Sequence, residues 1–176
     1  MYDSGKKDIN GNNIILNEFA SGKTFEDCIE HKLKQLGFVT RTQFIIGKKG
    51  VSNSNHVVDI VLIKEGILFE AKVQNTTGTV DYKLMHEVWA YQYACDHYNW
   101  KKAYIIYGGR GLSKAVITNT HEMARVHAPN VTLHRYEDDI SLSYVKNEIK
   151  SRDVSKIPHP EIIDTMQRLS GLSNQN

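Results

Sequence analysis

Two acidic residues and a lysine are spaced so that adjacent β-strands would bring them together. Asp59 lies in the apolar run of residues 56–63, and Glu70 and Lys72 lie in the next run, residues 67–74. Mg²⁺ prefers oxygen ligands and is commonly held by one or two carboxylates together with substrate phosphate oxygens. A lysine beside such an ion can orient or deprotonate an attacking water, or stabilise charge that develops on phosphorus. These residue types therefore predict hydrolysis of a phosphodiester.

The turn between the two strands decides whether these side chains meet. With a two-residue turn at residues 65–66, the two strands would pair so that Asp59, Glu70 and Lys72 lie on the same face of the hairpin. A three-residue turn would place Asp59 on the other face and separate the group. The pairs that the two-residue turn predicts are Val61 with Glu70 and Asp59 with Lys72.

Strand alternation predicts which side chains share each face. In the second strand one face is core and the other is mostly polar, with Gln74 on the polar face as a candidate water or phosphate contact. The alternative is that these charged residues only form a cross-strand ion pair. Such pairs contribute only about 0.2–1 kcal/mol, so stability alone explains poorly why charged residues lie in such apolar strands. The predicted faces are Val57, Asp59, Val61 and Ile63 in the first strand, and Ile67, Phe69, Ala71 and Val73 against Leu68, Glu70, Lys72 and Gln74 in the second.

A helix is predicted upstream of these strands. Thr24 is a candidate N-cap with an acidic residue three positions later, and apolar residues recur at helical spacing until Gly37. Glu26 on this helix either complements the positive helix N-terminus or contributes to the site, and Glu30 is placed to pair with Lys34.

The rest of the sequence predicts strands that alternate with helices. Lys48, Lys49, Lys83 and Arg110 are candidate DNA phosphate contacts, with solvated surface as the alternative for each. The histidines lack the spacing of zinc ligands. The predicted segments are a strand at 38–46, a loop at 47–55, a largely core-forming helix from 80 or 81, a strand at 101–107 with a glycine-rich turn after it, a helix or a short strand and helix at 112–128 with Thr120 as a candidate cap, a strand at 131–136, and helices at 140–150 and 161–169.

Composition limits the organisation of the chain. With 176 residues, 40% of them hydrophobic, a single core is expected: an N-terminal arm at 1–21 and one domain at 22–176. No run is long enough for a membrane span and the start lacks the apolar core of a signal peptide, so a cytoplasmic protein is predicted. Cys28 and Cys95 are expected to be reduced and partly buried. The formal net charge of +2 neither indicates nor excludes nucleic acid.

The sequence resembles the PD-(D/E)xK nuclease superfamily, which includes many restriction endonucleases. The resemblance rests on Asp59, followed by Glu70, Ala71 and Lys72 as the ExK element, and on Glu26 in the upstream helix. The order of helix with acid, strand, strand with Asp, hairpin, ExK strand and helix covers residues 24–107. The chain departs from the family pattern before Asp59, where valine stands in place of the common proline.

The resemblance implies a fold and a set of roles. The fold would be a restriction endonuclease-like α/β core, with a central mixed β-sheet of four or five strands flanked by helices. Asp59 and Glu70 would bind the metal, the Ala71 carbonyl would be a further ligand, Lys72 would be the catalytic lysine, and Glu26 would be an accessory acid. The cofactor would be Mg²⁺, with Mn²⁺ as a substitute, and the reaction would be in-line attack of water on a DNA phosphodiester.

The biological role stays open among several alternatives. A type II restriction-like endonuclease acting as a homodimer is the leading interpretation, since a two-fold axis matches the two strands of a duplex. A Holliday junction resolvase or a homing endonuclease on the same core is an alternative. Gln92 is followed by Asp96 instead of the tyrosine found at that spacing in some exonuclease branches, which disfavours a processive exonuclease. From another class, a non-catalytic DNA-binding domain would use the hairpin charges only as ion pairs.

Overall fold

The computed structural model describes residues 3–7, 13–15, 21–50, 52, 54–75 and 81–151. The elements are β1 (Asp3–Lys7), β2 (Asn13–Ile15), α1 (Gly22–Gln35), β3 (Arg41–Lys48), β4 (Asn55–Leu62), β5 (Ile67–Val73), α2 (Asp81–Tyr98), β6 (Lys102–Gly108), α3 (Lys114–His127), β7 (Val131–Arg135) and α4 (Ser143–Ser151). From α1 onward the strands and helices follow one another in the order that the sequence predicts for an α/β domain, whereas β1 and β2 fall in the segment predicted as an arm.

A five-stranded mixed sheet forms the centre of the domain. Its strand order is β3-β4-β5-β6-β7. The β3-β4 and β4-β5 pairs are antiparallel, whereas β5-β6 and β6-β7 are parallel. Parallel neighbours need a crossover connection, and α2 and α3 supply the two crossovers. The predicted mixed sheet flanked by helices is therefore confirmed.

The predicted N-terminal arm at 1–21 lies partly outside the described residues. Within it, β1 and β2 form a separate two-stranded antiparallel sheet. The predicted helix at 161–169 lies outside the described residues altogether.

Helices cover both faces of the central sheet. On one face Phe25 and Ile29 of α1 are fully buried against Phe69 of β5, in a core that α4 completes. On the other face Val88 of α2 packs in a second core with Leu68 of β5. The burial of a central strand on both faces follows from this arrangement. The expectation of a mostly polar face on β5 is wrong, because α2 covers that face.

Helix α1 begins three residues earlier than the sequence indicated. Ser21 is the N-cap: its side chain accepts a hydrogen bond from the Thr24 backbone N–H at 3.3 Å, and the Thr24 hydroxyl accepts one from the Ser21 backbone N–H at 3.2 Å. Thr24 therefore completes a capping box instead of forming the cap itself. The expected end at Gly37 is confirmed, since this residue has a φ of +92° just beyond the helix.

The β4-β5 hairpin has a different register from the one predicted. Val61 lies opposite Leu68, not opposite Glu70, and Leu62 lies opposite Ile67. Four residues connect the two strands, ending in Gly66 at a φ of +71°, which a glycine tolerates. The predicted two-residue turn is wrong. Because the register differs by two residues, and side chains alternate with a period of two, Asp59 and Glu70 are still brought together.

Several element boundaries also differ from the predictions. Strand β3 starts at Arg41 and continues through Lys48, which is therefore a strand residue and not a loop residue. Thr120 is fully buried inside α3, whose N-cap is Ser113. Helix α4 starts at Ser143, later than predicted, after a short 3₁₀ turn. The predicted positions of α2, β6 and β7 are confirmed to within one residue.

The two cysteines agree with the expectation that they are reduced and at least partly buried. Cys28 is half-buried and Cys95 is buried, and both are free thiols. Among the described residues, none of the helices has the length and apolar character needed to cross a bilayer.

Candidate active site

Asp59 lies where strand β4 separates from β5. The last paired residues before it are Ile60 and Phe69. Beyond that pair, Asp59 Oδ2 accepts a hydrogen bond from the Ala71 backbone N–H at 2.9 Å. A carboxylate thus takes the place of a backbone carbonyl at this point of the sheet, and its other oxygen, Oδ1, lies 3.5 Å from Gln43 Nε2 on β3.

The side chains of β4 stop alternating at Asp59. Val58 packs in the core beneath α2, as Val61 does, whereas Ile60 packs in the core beneath α1. Val58 and Ile60 would face the same way in a regular strand, so the alternation slips by one residue between them. The prediction that Val57 and Val61 share one face with Asp59 is wrong, since Val57 is 43% exposed and Val61 is fully buried.

Glu26 reaches the same region from α1. Gln43 Nε2 lies 3.4 Å from Glu26 Oε2 and 3.5 Å from Asp59 Oδ1, so that one amide group contacts both carboxylates. Glu26 also pairs with Lys23 at 3.2 Å. It lies beyond the first turn of α1, where the charge of a helix N-terminus has its main effect. The position therefore favours a contribution to the site over helix capping. The predicted pair between Glu30 and Lys34 is confirmed at 2.8 Å.

Glu70 is held on both carboxylate oxygens beneath α2. Its Oε1 contacts the Lys72 ammonium, and its Oε2 accepts a hydrogen bond from the Tyr91 hydroxyl. The residue is only 6% exposed. Such charge-assisted contacts fix the orientation of a carboxylate more firmly than neutral ones do.

Helix α2 contributes a further acid to this cluster. Glu87 Oε1 lies 3.4 Å from the Lys72 ammonium, which is therefore placed between Glu87 and Glu70. Glu87 and Tyr91 are four residues apart on one face of α2, one turn from each other. The helix thus holds Lys72 and Glu70 from above with two polar side chains.

The electrostatics of the cluster are dominated by burial and by the proximity of like charges. Burial, together with the charge of Asp59, raises the pKa of Glu70 to about 7. Burial also raises the pKa of Asp59, against the opposing effect of the Ala71 N–H. Burial disfavours the charge on Lys72, but Glu70 and Glu87 outweigh it and hold the pKa of Lys72 above its ordinary value. Lys72 is therefore a cation at neutral pH. Its single positive charge acts on three nearby carboxylates, those of Glu70, Glu87 and Asp59.

His56 supports the cluster from β4. Its ring packs edge-on against Tyr91 with the ring centroids 4.9 Å apart, and the residue is 1% exposed. Burial lowers the pKa of His56 to about 4, so its imidazole is neutral at physiological pH. The contact braces the tyrosine that holds Glu70.

Two of the predicted DNA contacts lie beside Lys72. A cavity of about 200 Å³ adjoins this lysine and is lined also by Gln74 and Lys83. Gln74 follows the end of β5, and Lys83 lies in the first turn of α2. The structure therefore brings these three residues to one opening at the end of the ExK strand.

The glycine-rich turn after β6 serves packing. Gly109 has a φ of +90°, and a Cβ atom there would lie 2.2 Å from the Gln74 backbone oxygen. The same oxygen accepts a hydrogen bond from the Gly111 N–H at 2.7 Å. The close backbone approach that the glycines allow is thus made to the chain itself, while Arg110 between them is exposed.

The two lysines of the β3-β4 connection are not brought into the cluster. Lys48 pairs its ammonium with Asn55 at 2.8 Å, and its backbone is bonded to the Tyr98 hydroxyl. Lys49 is half-buried, and its charge contributes to the lowered pKa of His56. Both residues lie at the opposite end of β3 from Arg41.

Sequence reasoning missed several residues of the cluster: Gln43, His56, Glu87 and Tyr91. Tyr91 lies on the helix that is predicted to be largely core-forming, and it is fully buried, but its hydroxyl also donates a hydrogen bond to Glu70. A signal for Glu87 did exist, because it is an acidic residue set among the apolar positions of α2. The Gln92–Asp96 spacing that was considered instead serves structure: Gln92 contacts Asp96 at 2.8 Å and accepts from the Asn130 N–H at 3.0 Å.

The donor set suits a hard divalent cation. Asp59, Glu70 and Glu26 offer carboxylate oxygens, and burial, with the proximity of other carboxylates, raises the pKa values of Asp59 and Glu70. Within the described ranges, no three His, Cys, Asp or Glu side chains converge as they do in a closed metal site. An open set of this kind fits Mg²⁺, which keeps several positions for water and phosphate oxygens.

Comparison with known families agrees with this geometry. No curated protein and no solved structure matches the chain. A family model described as a PD-(D/E)XK nuclease superfamily domain matches residues 18–150, which include α1, the hairpin with Asp59, the ExK strand and α2. This match covers most of the chain, and the chain therefore belongs to the PD-(D/E)XK nuclease superfamily.

Proposed function

We propose that the protein is a Mg²⁺-dependent endodeoxyribonuclease that hydrolyses phosphodiester bonds of DNA. The observation that carries the proposal is the position of Asp59 and Glu70, two partly or fully buried acids, beside the Lys72 ammonium where β4 and β5 part. A cross-strand ion pair would need one acid only. Two crowded carboxylates are unfavourable unless a cation joins them.

Asp59 and Glu70 are the residues that would hold the ion. The Ala71 carbonyl and Glu26 are further oxygen donors near them, with Glu26 as the accessory acid. The bound ion would offset negative charge at the phosphodiester in the transition state. Mn²⁺ is expected to substitute for Mg²⁺, because it takes the same oxygen ligands.

Lys72 acts as a fixed positive charge in this proposal. Its raised pKa argues against a role as general base, because the ammonium stays protonated at neutral pH. It would donate to an oxygen of the scissile phosphate or to the attacking water and so stabilise developing negative charge. Glu87 positions it, since this acid contacts the ammonium from α2.

DNA is the substrate that the opening beside the site favours. Lys83 and Gln74 line it next to Lys72 and would contact phosphate oxygens. Lys48, Lys49 and Arg110 are proposed as outer contacts to the DNA backbone. Arg110 is exposed on the turn after β6, while Lys48 would have to exchange its contact with Asn55.

A type II restriction-like role is the specific function that we propose. One site per chain cuts one strand, so a homodimer with two-fold symmetry would cut both strands of a duplex. Structure-selective cleavage of a four-way junction is the alternative within the same chemistry, and it would depend more on phosphate and shape contacts than on base edges.

The test is cleavage of plasmid, linear duplex and four-way junction DNA, with Mg²⁺ or with chelator. Wild-type protein should cut duplex DNA in Mg²⁺ only, and Lys72→Ala should abolish cutting. Lys64→Ala, an exposed lysine on the same hairpin, is the matched control and should cut normally. Cutting that survives in Lys72→Ala would remove the mechanism. DNA binding without cleavage under all conditions would instead favour a non-catalytic domain.

A further inference from the structure

Gln43 has a backbone conformation that does not belong in a strand. Its φ is +50°, although it lies in the middle of β3. The structure describes three non-glycine residues with positive φ, and Gln43 alone among them lies inside a regular element. Left-handed conformations of this kind are uncommon for residues with a side chain, and they persist only where the surroundings impose them.

The kink at Gln43 faces the kink at Asp59 on the neighbouring strand. Thr42 pairs with Ile60 and Phe44 pairs with Val58, so that Gln43 stands opposite Asp59 between these two pairs. The alternation of β4 slips at the same point. Both strands therefore deviate at the same point, where Asp59 enters the active site.

The Gln43 amide links two carboxylates that come from different elements. Nε2 lies 3.4 Å from Glu26 on α1 and 3.5 Å from Asp59 on β4. The two carboxylate oxygens are consequently within about 7 Å of each other and repel. An amide NH₂ has two N–H donors, one for each acid.

We propose that Gln43 is a positioning residue of the active site, which donates to both Glu26 and Asp59 and sets their separation for a shared divalent cation. The inference rests on the proposed metal-dependent function. It gives the left-handed backbone of Gln43 a functional reason, because the amide of this residue contacts carboxylates from two different elements. In this proposal Gln43 acts through the two carboxylates that its amide contacts.

Metal affinity is the first measurement, made by calorimetry with Mn²⁺ alone. Gln43→Asn keeps the tolerance for positive φ but shortens the reach of the amide, and Gln43→Gly removes the strain together with the amide. Both should bind Mn²⁺ about tenfold more weakly than wild type, with unfolding midpoints in chelator that are not lower. Thr42→Ser, next to it on β3, should match wild type in both respects. Wild-type affinity in Gln43→Asn and Gln43→Gly would overturn the proposal.

A second measurement needs no metal and separates this inference from the proposed function. Gln43→Glu replaces the shared donor by a third carboxylate and should lower the unfolding midpoint by about 2–4 °C in chelator. The loss should shrink when Glu26→Gln or Asp59→Asn is also present, because each removes one repelling partner. If wild type neither binds Mn²⁺ nor cuts DNA, the proposed function fails, while this coupling still supports the bridging role. Equal losses in all backgrounds would overturn it.

Discussion

Replacing Glu70 by glutamine should make the protein more stable at pH 8 while it abolishes cleavage. Glu70 is buried against Asp59, and its pKa rises from the ordinary 4.5 to about 7. Glutamine has nearly the same shape and can still face Lys72 and Tyr91. It cannot carry the negative charge that burial disfavours.

The magnitude follows from the pKa. A rise of the Glu70 pKa from 4.5 to about 7 corresponds to about 3 kcal/mol of unfolding free energy. The folded protein loses this stability as the pH increases from 4.5 to about 7. The sign follows because the folded protein binds more protons than the unfolded chain between these two values. Glutamine forfeits part of the attraction to Lys72, so we expect a net gain of about 1–3 kcal/mol at pH 8 and little gain at pH 4.5.

Chemical denaturation in chelator at both pH values measures this difference. Glu122→Gln is the control, because Glu122 is exposed and pairs with Arg125 on the surface of α3, and it should show no such pH-dependent gain. The reasoning is refuted if Glu70→Gln is less stable than wild type at pH 8. It is refuted equally if the difference between variant and wild type does not change with pH.

Three further substitutions probe the groups around Glu70. Tyr91→Phe removes the hydroxyl that contacts Glu70 and should cost about 2 kcal/mol of stability and most of the cleavage rate. Tyr98→Phe is the control on the same helix. Its hydroxyl bonds to Lys48, so this variant should lower stability and leave cleavage intact. Glu26→Gln should raise the Mg²⁺ concentration needed for cleavage, whereas Asp27→Asn, which shares the Lys23 contact, should not. An unchanged metal dependence in Glu26→Gln would mean that Glu26 serves only in its ion pair with Lys23. Burial lowers the pKa of His56 to about 4, so His56 should contribute a loss of up to about 3 kcal/mol in unfolding free energy as the pH falls from 6.5 to 4, opposite in sign to the contribution of Glu70. His56→Asn should lack this loss in urea titrations, which makes the variant more stable relative to wild type at pH 4 than at pH 6.5. A difference between wild type and His56→Asn that does not vary with pH would contradict that assignment.

The ExK strand illustrates how much of the site could be predicted. The apolar residues around Glu70 and Lys72 indicated a strand, and the spacing from Asp59 indicated a hairpin. The predicted turn was wrong, yet Asp59 and Glu70 still meet. The register differs by two residues, and at the point where the alternation of β4 slips the Asp59 carboxylate is held to β5 by the Ala71 N–H.

The polar contacts from α2 could not be predicted with the same success. The helical spacing of apolar residues is consistent with Tyr91 on the buried side of α2. It does not predict the hydrogen-bond partner of the tyrosine hydroxyl. Which strand residue the hydroxyl meets depends on how the crossover helix lies over the sheet. The same holds for Glu87, whose contact with Lys72 joins residues from two elements with no fixed sequence separation.

Sequence by itself determined the alternation of strands and helices, the acids and lysine of the hairpin, and the resemblance that the family match confirms. These features depend on local periodicity and on residue type, which are written along the chain. Only the tertiary structure decided that β4 and β5 part at Asp59, that Gln43 bends β3 to reach two carboxylates, and that α2 encloses Glu70. Those features arise from packing between segments that are distant in sequence. The burial of each charged group and its distance from other charges depend on several segments at once, so no single segment determines them.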